Sequence, residues 1–99
     1  MKKYMYIDVC EREIYEPTFF DKKEAAIYHM VNDFLLVKDI TSDIVPDVVD
    51  ETTLEKALSI LNEKEYLDDE NMVNIESLLA YGTTRNHDNW DAKIIKVII

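Results

Sequence analysis

Ninety-nine residues with a formal net charge of −10 leave room for one domain and one hydrophobic core, burying roughly 65% of the surface the unfolded chain exposes. With 47% hydrophobic and 32% charged residues, the composition is globular and excludes a disordered chain in spite of the charge. The acidity disfavours direct contact with nucleic acid or an anionic membrane. No apolar run is long enough to span a bilayer and no hydrophobic signal core follows Met1-Lys2-Lys3, so a cytoplasmic location is expected.

In chain order, Lys3 to Val9 sets Met5, Ile7 and Val9 against Tyr4, Tyr6 and Asp8, the period of two that predicts a strand. The Met5/Ile7/Val9 side is the better core face, which leaves Tyr4, Tyr6 and Tyr15 on the other. Cys10-Glu11-Arg12-Glu13 interrupts the alternation, and Ile14-Tyr15 resumes it before Pro17, whose missing amide confines this second strand to a short or edge position. A hairpin follows, without an Asn-Gly or Asp-Gly turn to define its geometry. Cys10 is the only cysteine; it reads as a small apolar group, and its isolation excludes an internal disulfide and a cysteine-pair zinc site.

Phe20 to Val37 carries the clearest helix signal. Asp21 is placed to cap the first amides with Glu24 completing a capping box, and Phe19 or Phe20 sits where a hydrophobic staple would pin the entry. Ala26, Ile27, Met30, Val31, Phe34 and Leu35 recur at steps of three and four, one apolar stripe that demands cover. Beyond it, Pro46 and the β-branched residues around it predict an irregular connector. A second helix is expected from Thr52 or Thr53, with Glu55 in capping-box relation to Thr52. Leu54, Ala57, Leu58 and Leu61 form its buried stripe, Ile60 lies off it, and the helix ends near Lys64.

Asp68-Asp69-Glu70-Asn71 reads as a polar turn. Met72 to Tyr81 reads best as a strand, since Val73, Ile75, Leu79 and Tyr81 alternate with Asn74 and Glu76; a helix over Asn74 to Ala80 competes. Gly82 stops this element, and Thr83 to Asn89 forms a polar loop. Trp90 to Ile99 gives the strongest strand signal, apolar on both faces, and therefore belongs inside the sheet or against a second subunit, a homodimer through the C-terminal strand. The order β-β-α-α-β-β predicts an α+β fold: an antiparallel sheet of about four strands with two helices packed on one face.

Chemistry has few footholds. A single glycine argues against a phosphate-cradling loop. His29 reads as a helix-surface or core-edge residue and His87, beside Asp88 and Asp91, as part of a solvated loop; they share no third partner. Ser42, Ser59 and Ser77 lie in no nucleophile-elbow context, and Asp68 to Asn71 lacks the spacing and glycine of a calcium loop. No catalytic residue, cofactor or metal ligand is expected, and the chain does not read as an enzyme.

Charge placement says more. Between Asp39 and Glu76 lie twelve acidic residues against Lys56 and Lys64, a net of −10 that equals the whole chain's excess. Such asymmetry points to a basic protein surface as partner, with the chain acting as an inhibitor or nucleic-acid mimic. Its expected contacts are Asp43, Asp47, Asp50, Asp68, Asp69 and Glu70, joined by Arg85 and Trp90, whose types anchor interfaces when carried on loops. The alternative is an interaction module that uses an aromatic sheet face or the terminal strand, with acidity serving solubility only. The hairpin-helix opening and the Trp-Asp-Ala-Lys-Ile-Ile ending resemble, in general character, small accessory proteins of bacteria and their mobile elements; that resemblance covers the termini and carries no residue assignment.

Overall fold

Strand β1 (Lys2–Cys10) is the spine of the sheet, because both of its edges are occupied. The computed structural model describes residues 2–40, 43–82 and 90–98. Along one edge β4 (Trp90–Ile98) runs antiparallel to β1 over its whole length, from Lys2 opposite Ile98 to Cys10 opposite Trp90. Along the other edge lie β2 (Glu13–Ile14) and β3 (Thr18–Phe20), also antiparallel. Val9 faces Ile14 and Tyr6 faces Thr18, so Ile7 and Asp8 span the same gap as Tyr15, Glu16 and Pro17. The extra residue is a bulge, placed where Pro17 has no amide to give to the ladder. Glu11 and Arg12, between β1 and β2, both have positive φ, 51° and 73°. That is the backbone of a type I′ hairpin turn, here made without Asn or Gly.

Helices α1 (Lys23–Val37), α2 (Glu51–Glu63) and α3 (Asp69–Tyr81) follow one another between β3 and β4. The fold is α+β, a four-stranded antiparallel sheet with three helices. Helix α1 buries Ala26, Met30, Val31, Phe34 and Leu35, the predicted stripe, but its N-cap is Lys22 and makes no side-chain hydrogen bond. Asp21 instead pairs with Lys3 across to β1. At the other end Ile40 N–H reaches Leu35 O at 2.9 Å and Asp39 N–H reaches Leu36 O at 3.1 Å. With Asp39 at φ 55°, this is a Schellman stop that also drops Ile40 into the core.

Helix α2 starts earlier than its threonines suggest. Asp50 is the N-cap; its carboxylate accepts from Thr53 N at 2.8 Å while Thr53 Oγ1 accepts from Asp50 N at 3.0 Å, so the capping box closes on Asp50 and Thr53 in place of Thr52 and Glu55. Leu54, Ala57 and Leu61 are buried, with Leu58 packed at the margin.

The strand expected over Met72–Tyr81 is a helix. Asp68, read as part of a turn, caps it by accepting from Asn71 N at 2.7 Å, Asp69 and Glu70 occupy its positive first turn, and Gly82 ends it at φ 66°. Ile75 and Leu78 are its buried pair. Their three-residue spacing packs one face of the helix into the core, which supplies most of a helix's stability, and the caps close both of its ends.

The last strand does not lie inside the sheet: among the described residues β4 pairs only with β1, the central strand, and is an edge, the position that the second-subunit alternative requires. The core face expected from the sequence is reversed. Tyr6, Trp90 and Ala92 are buried in the same cluster as Phe34, Leu61 and Ile75, with Cys10, Phe20 and Ile94 packed against it, so the helices cover the even-numbered face. Aromatic rings bury more area than Met, Ile or Val, provided that their polar tips find partners.

Candidate functional site

Those partners form a small polar group between the sheet and α1. Tyr6, 2% exposed, donates its hydroxyl hydrogen to Asp33 Oδ2 at 2.8 Å. His29, one turn before Asp33 on α1, holds Nε2 at 3.5 Å from the same oxygen. The imidazole meets the Tyr6 ring edge-on at 4.9 Å and Phe20 at 5.3 Å. Trp90, fully buried, donates its indole N–H to Asp8 Oδ2 at 3.2 Å. Burial, and then the Asp33 carboxylate, hold the Tyr6 hydroxyl far above its ordinary range. Burial likewise raises the Asp33 carboxyl, against the lowering effects of the Tyr6 hydrogen bond and His29.

A phenol so reluctant to ionise is a fixed donor and a poor base, and the cluster reads as a hydrogen-bonded strut joining β1 to α1. His29 therefore sits at the core edge, half-buried, in the place its helix position suggests. Among the described residues, no group of three or more His, Cys, Asp or Glu is arranged to hold a metal ion, and no helix is long and apolar enough to cross a membrane.

With the rings turned inward, no layer among the described residues covers the odd-numbered face of the sheet, where Met5, Ile7, Val9, Ile95 and Val97 are half-buried. Met5, Ile7 and Val9 run down its centre, Ile95 and Val97 come from β4, and Phe19 and Ile14 come from β3 and β2. Phe19 is 50% and Ile14 71% exposed, and none of these side chains belongs to the core cluster or packs against it. Charge is confined to the margins of the face: Lys3 at one end, Asp91 and Lys93 on edge strand β4. A continuous apolar sheet face with a charged border is the feature of this surface that ordinary folding does not account for.

The residues expected to bind a partner are scattered relative to this face. Every acidic residue from Asp43 to Glu76 is exposed, but two of those singled out also serve as helix caps, Asp50 on α2 and Asp68 on α3. Asp43, Asp47 and Asp50 precede α2 while Asp68, Asp69 and Glu70 follow it, with a helix about 20 Å long between the groups. Val48 in the connector is buried, and its N–H is bound by Asn32 Oδ1 of α1 at 2.9 Å, so this acidic loop is tied down. Trp90, named among the expected partner contacts but also the first residue of the expected strand, begins β4 and lies wholly inside the core, its ring centroid 6.1 Å from that of Phe34. Arg85 and His87 lie outside the described residues.

Sequence reasoning missed Tyr6, Asp8 and Asp33 as a group, since nothing local joins residues so far apart. It also assigned the open face to the core. The i, i+4 spacing of His29 and Asp33 was the one legible clue to the strut. The chain matches no protein-family model, and no curated protein or solved structure is similar to it above the level of chance.

Proposed function

We propose that this chain is a non-catalytic protein-interaction module that docks an apolar protein surface on the open face of its sheet. The observation that carries the reading is the face itself, uncovered among the described residues, apolar from Met5 to Val9 on the central strand and charged only at its border. Burial of apolar area at about 25 cal/mol per Å² makes such a face a source of binding energy. The face differs from the aromatic one expected from the sequence, because Tyr6 and Trp90 are in the core and aliphatic residues take their place. Phe19→Lys tests it: the side chain is half-exposed on a short outer strand, so the fold should persist while partner capture from host lysate is lost, at high salt as well as low. Capture unchanged by this substitution would sink the reading.

A second reading keeps the acidic segment as the recognition surface, an inhibitor or nucleic-acid mimic for a basic protein, and is favoured by the exposure of its carboxylates. Binding of that kind weakens steeply with ionic strength, whereas docking on the apolar face does not. Replacing Asp68, Asp69 and Glu70 together by Lys, and separately Asp43, Asp47 and Asp50, separates the two. Loss of binding in either set with retention in Phe19→Lys favours the acidic surface; the reverse pattern excludes it. Because Asp50 and Asp68 are caps, both sets need a melting curve alongside.

A further inference from the structure

The remaining question about the open face is what covers it. Its layout is that of an interface, with an apolar centre on β1 and charges only at the edge. The border carries both signs, Lys3 and Lys93 against Asp91, and so offers no single-sign field to attract a strongly charged partner. The rest of the chain does carry such a field, and it would ordinarily keep copies apart. Here, however, the whole excess of −10 lies between Asp39 and Glu76, on the connector and helices of the opposite side of the sheet. Sheets packed face to face stand about 10 Å apart, and a helix layer adds about 10 Å on each side. The acidic segments of two copies packed this way are thus separated by several Debye lengths of about 8 Å.

Shape and size point the same way. Two copies of one sheet share the same twist, as aligned packing of sheets requires. A ladder of β1's length spans roughly 30 Å, and β1 with the strands on either side is roughly 14 Å wide, a footprint of about 400 Å² per copy. Doubled, this is about 800 Å², below the ~1,000 Å² expected of a stable specific interface and in the range of weak, transient contacts. It suits an association that forms and dissociates with concentration.

We propose that the open face is the contact of a weak two-fold homodimer in which two copies of this chain pack sheet against sheet. The proposal rests on the reading of that face as a docking surface, and adds that its occupant is a second copy. Sedimentation velocity on the full chain over a wide concentration series tests it, using the wild type, Phe19→Lys and Ile14→Lys. Ile14 is the more exposed of the two, so its substitution is the safer for the fold; melting curves check both. The wild type should pass from monomer to dimer as concentration rises, with added salt leaving the transition in place. Each variant should need at least tenfold more protein to dimerise. A wild type that stays monomeric throughout overturns the proposal, as does a dimer that survives both substitutions. If the monomeric wild type still captures another protein and Phe19→Lys abolishes that capture, the docking reading stands and only the second copy is wrong. If capture is also indifferent to the substitution, both fall.

Discussion

Replacing Tyr6 by Phe removes one hydroxyl from the strut between β1 and α1 and leaves the buried ring in place. The lost bond is short, 2.8 Å, and its acceptor is the carboxylate of Asp33, a class worth about 1.5–3 kcal/mol. The Asp33 side chain is 23% exposed, so water can recover part of the contact, and the lower end of that range applies. A loss of about 1.5 kcal/mol lowers Tm by roughly 6–12 °C in a domain of this size. The pH dependence supplies a sharper mark. Burial raises the Asp33 carboxyl above its ordinary 3.8 in the folded state. The folded protein therefore holds that proton more tightly than the unfolded chain. Stability from this group is greatest below the ordinary carboxyl range and falls as pH climbs through the raised value. The Tyr6 hydroxyl opposes the rise, and its removal extends the window upward. The Tyr6→Phe deficit should accordingly be small in acid and full at neutral pH. Urea melts of both proteins at several pH values measure it. A deficit absent at neutral pH, or constant from acid to neutral, would refute the role given to this bond.

Phe34→Ala empties the centre of the α1 stripe beside Trp90 and should cost roughly 3–5 kcal/mol, enough to unfold much of so small a domain by circular dichroism at physiological temperature. Gly82→Ala places a Cβ at ordinary contact distance, 3.7 Å from Ile94 Cδ1, so the expected loss is that of the left-handed backbone alone, about 1 kcal/mol in a denaturant melt. The paired change Glu11→Asn and Arg12→Gly relieves positive φ at both turn positions and should raise stability by about 1–2 kcal/mol, with Tm as the readout. Asp50→Ala should weaken α2. Thr53's amide and hydroxyl hold the Asp50 carboxyl below its ordinary value, so the capping contribution is present above the ordinary carboxyl range and disappears as pH falls through the lowered one. The mutant and wild-type melting curves should therefore converge in acid.

The parts of the fold that announce themselves locally were legible. Helix α1 followed from its stripe, α2 from Leu54, Ala57 and Leu61, and β1 and β4 from their alternation and β-branched content. Helix α3 was misread because Val73, Ile75, Leu79 and Tyr81 happen to alternate, although Asp68 and Gly82 already supplied the caps of a helix. The exchange of sheet faces was not legible at all. Whether Tyr6 or Ile7 turns inward depends on an acceptor, Asp33, supplied by another element, and on the room beneath α1 that Trp90 fills. Asp21 shows the same limit at small scale: the cap falls one residue later, at Lys22, and the Asp21 carboxylate pairs with Lys3. The candidate surface was obscured for this reason, since an apolar alternation seen in isolation says that one face is dry without saying what dries it.

The ladder between β1 and β4 has a kinetic consequence. It is the longest pairing in the sheet, yet its strands lie at opposite ends of the described chain, from Lys2 with Ile98 to Cys10 with Trp90. Hairpin and helices can close over short distances, whereas this ladder must first bring distant segments together. Strand β4 is then expected to arrive late, and until it does the slot for Trp90 beneath α1 stands open beside an unpaired edge of β1. Another molecule's β4 fits that vacancy as well as the chain's own. Refolding should therefore give strand-exchanged species in proportion to protein concentration, even where the equilibrium melting curve is unaffected. Gel filtration after refolding at rising concentration measures this directly, and a yield of monomer independent of concentration would show that β4 docks early.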